Sequence, residues 1–301
     1  MTPDEEAAKG EGTMDACRKK RCAGAENRRV KVDRWDVVRI ALLAVVSLCM
    51  IFPLVWMLLC SLKSPTEVMS KDVFLPSRLY FQNYVNAFHA APFGIYFRNS
   101  LLMAAVTVLS QILTGSLAAY SFAKMEYRLN KPLFFLFLCC MMIPVEATIV
   151  GNYLTISRLG LMDTFFSVIC TSMVSMFGVF LFRQFYMTID NALLEAARID
   201  GAGDLRIWLS IILPLGKSAM ATVAIIGFIG SWNSYLWPLI ITNSMELRTV
   251  QTGLRSMMEG EIGEDWGAIM AAASMISIPM VLLFVCLQKY FVQGITKVGL
   301  K

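Results

Sequence analysis

The chain has 301 residues, of which 57% are apolar and only 16% are charged, and its formal net charge is +5. Soluble domains are about 45–50% apolar and about 25% charged, so too few charges remain to coat a soluble protein of this length. The composition excludes a disordered chain, a collagen and a disulfide scaffold, and it leaves a protein that crosses a membrane several times.

The N-terminal segment differs from the rest of the chain. Residues 1–35 are rich in Lys, Arg, Glu, Gly and Ala and show no apolar periodicity, so we predict a disordered, basic tail. Cys17 and Cys22 are separated by four residues without a histidine nearby, which is a poor zinc pattern. We therefore predict no metal site and no cofactor.

Six apolar segments are long enough to cross a bilayer core about 30 Å thick, which takes about 20 residues of helix. The predicted spans are about 38–62, 99–123, 132–157, 164–186, 218–245 and 267–290. Buried core helices can account for two such runs, but not for six in one chain. The predicted fold class is an all-α integral membrane protein with six transmembrane helices.

Lysine and arginine are unevenly distributed over the segments between these spans. With the N-terminus inside, 20 of the 27 basic residues lie in the tail, the second and fourth loops and the C-terminal segment. Because cytoplasmic segments carry the excess of positive charge, we expect both termini in the cytoplasm. The basic tail then contacts anionic membrane lipid, and we expect no nucleic-acid partner.

The loop between the first two spans contains a helical apolar stripe. Its residues recur at i, i+3, i+4 and i+7 and are Phe81, Tyr84, Val85 and Phe88. This spacing predicts an amphipathic helix that lies on the outer membrane surface. His89, the single histidine of the sequence, lies in the same loop, and a structural role is expected for it.

The long loop after the fourth span begins with a helix signal. Asp190 or Asn191 can cap a helix over residues 192–200, because their side chains accept hydrogen bonds from free N–H groups. Gly201 or Gly203 can end that helix in the left-handed conformation. The pattern predicts a short exposed helix, which is either an amphipathic linker on the membrane or a docking element for a partner.

A second helix is expected in the remainder of this loop, which covers residues 187–217. Asp204 can cap it, and we expect it to end at Pro214. The loop is thus predicted to form a helix, a turn and a helix just before the fifth span.

The same loop carries a motif with fixed spacing. The motif reads EAA-x3-G-x9-I-x-LP and consists of Glu195, Ala196, Ala197, Gly201, Ile211, Leu213 and Pro214. It resembles the signature of the membrane subunit of bacterial ABC importers. The stretches NYVNAF, SWNSYLWPLI, DWGAIMAAASM and KYFVQGITKVGLK resemble the carbohydrate-uptake branch of that family, and the resemblance covers roughly residues 36–301.

The resemblance implies a type I ABC importer permease fold in a bacterial cell membrane. It implies that the EAA residues and Gly201 contact a cleft in a separate ATP-hydrolysing subunit, and that Ile211, Leu213 and Pro214 anchor the loop to the next span. It further implies a second permease subunit, a dimer of ATP-binding subunits, an extracytoplasmic solute-binding protein and a carbohydrate substrate.

The chain itself lacks an ATPase motif. Gly216, Lys217 and Ser218 match the end of the phosphate-binding pattern G-x4-G-K-[ST], but Ile211 occupies the position of its first glycine. The sequence also lacks H-E-x-x-H, G-x-S-x-G and any histidine cluster. We therefore predict a transport subunit that is not an enzyme.

Polar and aromatic residues inside the predicted spans are candidates for the translocation path. These candidates are Gln111, Glu146, Trp232, Asn233 and Tyr235. Ionisable groups are costly inside a membrane, although Glu146 can instead reach water at the outer interface. The candidates in the fifth span are equally explained by an aromatic belt or by polar helix packing.

The acidic outer loop, residues 246–266, is a candidate contact for the solute-binding protein. Gly253, Gly260 and Gly263 predict bends or flexibility, and Met257 offers an adaptable apolar contact. The alternative is a solvated acidic connector.

Three other functions remain open at this point. An ATP-independent secondary transporter or channel needs coupling charges at mid-membrane, where the sequence offers only Glu146. An ABC importer for amino acids, peptides or polyamines fits the motif but not the carbohydrate-type segments. An integral membrane enzyme needs a catalytic cluster that the sequence does not contain.

Overall fold

The computed structural model describes residues 34–70, 73–259 and 265–298, and for residue 287 and residues 289–298 it describes the backbone alone. All regular structure in these ranges is helical, which confirms the all-α prediction for the described part of the chain. The chain divides into two units, residues 1–55 and residues 56–301. The predicted tail up to residue 33, Gly260 and Gly263 lie outside the described residues.

The helices are named here in chain order. The first half of the chain contains α1 (Arg34–Ser61), α2 (Pro65–Met69), α3 (Gln82–Ala90), α4 (Phe93–Lys124), α5 (Asn130–Met141), α6 (Val145–Arg158) and α7 (Phe165–Ile169). The second half contains α8 (Met176–Met187), α9 (Asn191–Ile199), α10 (Asp204–Ile207), α11 (Leu213–Leu215), α12 (Lys217–Trp232), α13 (Leu236–Ile241), α14 (Val250–Glu259) and α15 (Trp266–Val298).

Three helices are long and apolar enough to cross a membrane by themselves, namely α1, α4 and the first part of α15. Three further pairs qualify only if each pair is a single bent span. The bend is 96° between α5 and α6, 45° between α7 and α8, and 79° between the α10–α11 segment and α12. The described residues thus contain three to six candidate spans, and the number six stays a prediction.

Three predicted spans contain a helix break, and the one in the fourth span lies between α7 and α8. In the third span, Pro144 precedes α6, and a proline disfavours helical geometry in the residue before it. In the fifth span, α12 ends at Trp232 and α13 begins at Leu236, after three intervening residues. Pro238 lies in the first turn of α13, where its missing N–H group leaves no helical hydrogen bond unmade.

Helix α4 lies at the centre of the second unit. It packs against α8 and α12 along its length and against α14 near its beginning. The largest core cluster joins α4, α8, α9 and α12 and includes Tyr120, Phe182, Tyr186 and Val223. The two regions described below as the candidate site are therefore connected through one helix.

The short helix α3 buries a polar residue and exposes its apolar stripe. Asn83 and Ala87 are fully buried, whereas Phe81, Val85 and Phe88 are exposed. Tyr84, the fourth residue of the predicted stripe, is half-buried, and its hydroxyl is 2.9 Å from that of Ser61. The Asn83 amide donates to the backbone oxygens of Ser61 and Lys63 at 2.9 and 2.8 Å, which ties α3 to the end of α1. The exposed stripe agrees with the predicted helix, and its position on a membrane surface stays a prediction.

A turn after α6 is joined to the segment after α13 by one carboxylate. Asp163 has a positive φ of 56°, and its Oδ1 accepts hydrogen bonds from the backbone N–H groups of Asn243 and Ser244 and from the Ser244 hydroxyl. These bonds, the one from the Ser244 N–H first, hold the pKa of Asp163 below its ordinary value, because they stabilise the ionised form.

We expect the stabilising effect of Asp163 to depend on pH. Because the pKa is lower in the folded state, the effect is complete above the ordinary aspartate pKa of about 3.9 and is lost as the pH falls through the lowered folded value. Thermal unfolding in detergent checks this: Asp163→Asn should lower the Tm at pH 7, and the difference from wild type should shrink at acid pH. Asp200→Asn, at an exposed carboxylate, is the control. A difference for Asp163→Asn that is as large at acid pH as at pH 7 contradicts the assignment.

Candidate functional site

Helix α9, which carries the EAA residues, has well-defined ends. Asp190 caps it, with Oδ1 accepting from the Ala192 N–H at 3.0 Å. At the other end Gly201 has φ +80°, and its N–H donates to the oxygen of Arg198 at 3.0 Å. The Ala202 N–H donates to the oxygen of Ala197 at 2.9 Å, which completes a Schellman motif. The predicted left-handed stop is confirmed at Gly201.

Most of the surface of α9 is not covered by the rest of the described chain. Within this helix only Leu194 is buried, and it anchors one edge of the helix to the core. Glu195 and Ala196 are exposed, and Ala197 is half-buried. Leu193 and Ile199 are 46% and 87% exposed, so an apolar surface surrounds the EAA residues. Exposed apolar surface of this kind is typical of a docking site.

The predicted cap of the second helix was wrong. Gly203 is the N-cap residue of α10, and Asp204 is the first residue inside the helix. The Asp204 carboxylate instead accepts from the Arg198 guanidinium at 3.0 Å and from the Tyr120 hydroxyl at 3.1 Å. Its hydrogen bond and its charge raise the pKa of Arg198. Asp204 therefore links α9 to the end of α4.

The predicted helix end at Pro214 was also wrong. The helix continues from α10 through a π-helical turn, Trp208–Ile212, into α11. A proline has no N–H group and its ring clashes with the carbonyl four residues earlier, whereas a π turn bonds i to i+5 and is wider. The π turn thus allows the helix to pass Pro214 and to end at Leu215.

The motif residues Ile211 and Leu213 are half-buried at the edge of the core, and Pro214 is exposed. Their neighbours Ile207 and Ile212 are fully buried. The anchoring of this segment therefore rests on residues outside the motif as well, which the sequence spacing did not indicate.

A hydrogen-bonded chain connects the π turn to two long helices. The Trp208 indole N–H donates to the Ser116 hydroxyl of α4 at 2.9 Å. The Ser116 hydroxyl is 2.7 Å from the Tyr186 hydroxyl of α8, and either group can be the donor. All three side chains are buried, so these hydrogen bonds hold the π turn against α4 and α8.

A cavity of about 420 Å³ lies among α4, α6, the segment between α7 and α8, and α12–α13. It is named the polar cavity for the polar groups in its lining, although apolar atoms, which include those of Val145, Ile149, Val174 and Ile226, form the larger part of its surface. Hydroxyl, amide and indole groups line it, including Thr107, Gln111, Asn152, Ser172, Ser231 and Trp237. The lining that the structure describes contains no charged residue. Such a surface offers both hydrogen-bond donors and acceptors to a neutral solute.

Gln111 is the one predicted path residue that lines this cavity. It is largely buried, and its amide donates to the oxygen of Ser172 at 2.7 Å. Gly227 of α12 faces it closely, because an added Cβ there would overlap the Gln111 Oε1 atom. The amide is therefore held in place between α4, α12 and the segment after α7.

The other predicted path residues lie elsewhere. Glu146 is exposed in the first turn of α6 beside the cavity-lining Val145, but it is not part of the lining. Trp232 is 1% exposed, donates to the oxygen of Ile276 at 3.1 Å and stacks on Phe228, so it serves helix packing. Asn233 is exposed at the end of α12.

Tyr235 is half-buried in the break before α13 and does not line the cavity. Trp237, two residues later, does line it, and its indole N–H donates to the oxygen of Ser167 at 3.0 Å. Trp237 is absent from the predicted path residues, because three aromatic residues in one short stretch give no signal that separates packing from lining.

The acidic outer loop contains the helix α14. Gly253 lies inside this helix, so the bend predicted at this residue was wrong. Gly253 lies against the Tyr96 ring, and an added Cβ would overlap the ring. Met257 is 3% exposed and belongs to the core cluster around Trp232. Both side-chain positions face the protein interior, and Met258, 41% exposed, is on the free side. Contact with a binding protein stays a prediction for this loop.

No group of three or more metal-ligating side chains occurs among the residues that the structure describes.

Comparison with known proteins identifies the family. Residues 111–297 match the model of the binding-protein-dependent transport system inner membrane component. The chain belongs to this family.

The relatives cover the chain well beyond the matched domain. This chain is 34% identical over 278 residues to the sn-glycerol-3-phosphate transport system permease protein UgpE of Yersinia enterocolitica, and the alignment covers 90% of this chain and 98% of that protein. It is 32% identical over 262 residues to the arabinooligosaccharides transport system permease protein AraQ of Halalkalibacterium halodurans, covering 86% of this chain and 94% of that protein.

A solved structure resembles the fold. It is the crystal structure of a bacterial ABC transporter involved in the import of the acidic polysaccharide alginate. The TM-score is 0.80 at 25% identity, and the match covers 88% of this chain and 99% of that chain.

Proposed function

We propose that this chain is the membrane-spanning permease subunit of an ATP-driven, binding-protein-dependent carbohydrate importer. The observation that carries the proposal is the structure of α9. This helix is capped at its beginning and ends at Gly201, and it exposes Glu195 and Ala196 of the EAA motif together with apolar side chains. In this proposal the chain crosses the inner membrane six times, with α5–α6 and α7–α8 as bent spans, α12–α13 as the fifth span, the α10–α11 segment in the coupling loop and both termini in the cytoplasm.

The partners follow from the same assignment. Helix α9 contacts an ATP-binding subunit, which belongs to a dimer, and the exposed apolar faces of the spans contact lipid and a second permease. An extracytoplasmic solute-binding protein delivers the substrate from the other side. The chain contributes no catalytic residue, because ATP hydrolysis takes place in the partner.

The structure suggests how movement of the ATPase reaches the transport path. Displacement of α9 pulls on Asp204, which is bonded to Tyr120 of α4. It also moves the π turn, whose Trp208 is bonded through Ser116 to Tyr186 of α8. Helix α4 contributes Gln111 to the polar cavity, so a shift of α4 changes the cavity shape.

The cavity favours a neutral carbohydrate over a phosphorylated solute. Its described lining contains hydroxyl, amide and indole groups but no lysine or arginine. Sugar hydroxyls both donate and accept hydrogen bonds and match such groups, whereas a phosphate ester would bring a charge into the cavity without a partner. Glycerol phosphate is the second candidate, because relatives of this chain are named for it.

An ion-coupled transporter that needs no ATPase is disfavoured by the same lining. Ion coupling requires ionisable groups at the transport path, and Glu146 lies beside the cavity without lining it. Uptake into proteoliposomes should therefore require ATP inside the vesicles and should not respond to an imposed ion gradient.

Co-purification tests the proposal directly. An ATP-hydrolysing subunit should elute with the wild-type chain in detergent, and Glu195→Lys should reduce its retention, because a reversed charge is placed in the docking surface. Glu246→Lys is the matched control, since Glu246 is exposed at the opposite end of the proposed topology. Equal retention of the ATPase by both variants contradicts the assignment of α9 as the contact.

A further inference from the structure

A second cavity, of about 830 Å³, lies where α4 ends and α5 begins. Four basic residues line it, and they are Lys124, Arg128, Lys131 and Arg183. Glu126 is the one acidic residue of the described lining, and Asn130 adds an amide. The lining therefore carries a clear excess of positive charge.

These cations form no close ion pair in the described part of the chain, although the Asp190 carboxylate acts on Lys124 through its charge. Among the described residues, none of the four basic side chains is within ion-pair distance of an acidic group. The Arg183 guanidinium lies over the Phe134 ring at 3.9 Å and donates through Nε to the oxygen of Phe122 at 3.2 Å. That bond uses one of its five N–H groups, and the terminal nitrogens remain for another acceptor.

The Lys124 ammonium is likewise only partly used. It donates to the oxygen of Ile189 and to Oδ1 of Asn191, both at 2.6 Å, and an ammonium group has a third N–H. Arg128 and Lys131 are exposed at the rim. An anion in the cavity could thus be reached from several sides, by fixed donors inside and by flexible donors at the rim.

The cavity adjoins apolar surface. Leu129, beside the rim, is 57% exposed, and Leu133 and Leu136 on the adjoining α5 are 43% and 61% exposed. Leu129, Leu133 and Leu136 follow one another along a single face at helical spacing. A ligand that bridges both features has an anionic group at one end and long apolar chains at the other.

We infer that this cavity binds the phosphate of an anionic phospholipid headgroup in the cytoplasmic leaflet, with the acyl chains along Leu133 and Leu136. The inference rests on the proposed orientation of the chain. An excess of basic residues on the cytoplasmic side accounts for orientation alone. It does not account for a cavity that gathers four cations beside an exposed apolar face, which is the arrangement that lipid phosphates require.

The position of the cavity gives the lipid a route to the transport cycle. A neighbouring cavity of about 610 Å³ is lined by Glu195 and Arg198 of α9. The two cavities share five lining residues, including Lys124 and Asn191. A headgroup that engages Lys124 therefore acts on the residue that holds the beginning of α9, so lipid binding should stiffen the docking helix.

A lipid titration tests the inference. The purified full-length chain, with its ATPase where that subunit co-purifies, is titrated in detergent with phosphatidylglycerol while the Tm is recorded. We expect phosphatidylglycerol, but not phosphatidylcholine, to raise the Tm. In Arg128→Gln/Lys131→Gln the lipid concentration for half of this effect should rise about thirtyfold, from the loss of two cations that face the headgroup.

Two controls separate the cavity from charge in general. Arg206→Gln/Lys217→Gln removes two exposed basic residues outside the cavity and should leave the titration unchanged. Arg183→Gln, which also removes a bond to Phe122, should weaken the lipid effect even after its lower starting Tm is taken into account.

Three outcomes would overturn the inference. If wild type and Arg128→Gln/Lys131→Gln need the same phosphatidylglycerol concentration for half of the Tm increase, the lipid does not bind in this cavity. A Tm increase with inorganic phosphate that matches the lipid effect makes the ligand a soluble anion. Release of the ATPase by the double variant in every lipid makes the cavity a contact for an acidic segment of that subunit. Since the titration reads the Tm of this chain, it remains informative even if no ATPase co-purifies.

Discussion

Replacing Gly201 with valine is expected to reduce uptake strongly while the chain remains in the membrane. Gly201 has φ +80°, and the left-handed region costs an L-residue about 1–2 kcal/mol, more for a β-branched side chain. No atom lies within 4 Å of an added Cβ, so the cost comes from the backbone and not from crowding. The Schellman motif should open, and α9 should lose its fixed position.

Gly203→Val is the matched control for this experiment. Gly203 has φ −72°, and an added Cβ there also meets nothing within 4 Å. We expect the control to retain most uptake, whereas Gly201→Val should lose at least about tenfold, the factor that corresponds to 1.4 kcal/mol. Uptake and membrane levels are measured in the same cells. Similar uptake by the two variants would show that the left-handed stop is dispensable for coupling.

Replacing Gly253 with alanine is expected to destabilise the protein strongly. Helix propensity alone favours alanine over glycine by about 1 kcal/mol, so the secondary structure of α14 predicts a stabilised protein. The packing predicts the reverse, because the new Cβ would overlap the Tyr96 ring, and that ring is 1% exposed and has no room to move. Overpacking of this kind costs about 1–3 kcal/mol or more.

A rise in Tm would follow from helix propensity, and a fall in Tm would follow from overpacking against Tyr96. Membrane levels and Tm are measured for Gly253→Ala and for Gly94→Ala, a helical glycine with nothing within 4 Å of an added Cβ. Gly94→Ala should be tolerated. Gly253→Ala combined with Tyr96→Leu should recover part of the lost Tm, since the smaller side chain makes room. A normal Tm for Gly253→Ala would show that α14 moves away from α4 at no cost.

Local signals predicted the ends of α9 correctly. Capping by Asp190 and the left-handed stop at Gly201 involve atoms within a few residues, so the sequence contains the complete information. Asp204 was assigned wrongly for the opposite reason. Its carboxylate bonds Tyr120, which lies 84 positions earlier, and no local pattern reveals that partner.

Hydropathy located the apolar segments but not their breaks. A window average reports how apolar a segment is and does not report its direction. Pro144 indicates that the helix can kink there, but the angle of 96° could not be predicted from the sequence. The same limit applied to the fifth span. Trp232 and Trp237 have the same residue type in one apolar stretch, yet one packs on Phe228 and the other lines the polar cavity. Only the break after α12 separates their environments.

The hydrogen-bonded chain of Trp208, Ser116 and Tyr186 restricts how this protein can change over evolutionary time. A serine-to-alanine change at position 116 would leave two buried polar groups without their partner, and each such group costs about 1–3 kcal/mol. Replacing Trp208 or Tyr186 alone would leave a void as well. The residue types at these three positions are thus expected to change together among related permeases. A polar residue lost at one position should be accompanied by an apolar replacement at the position that it contacts.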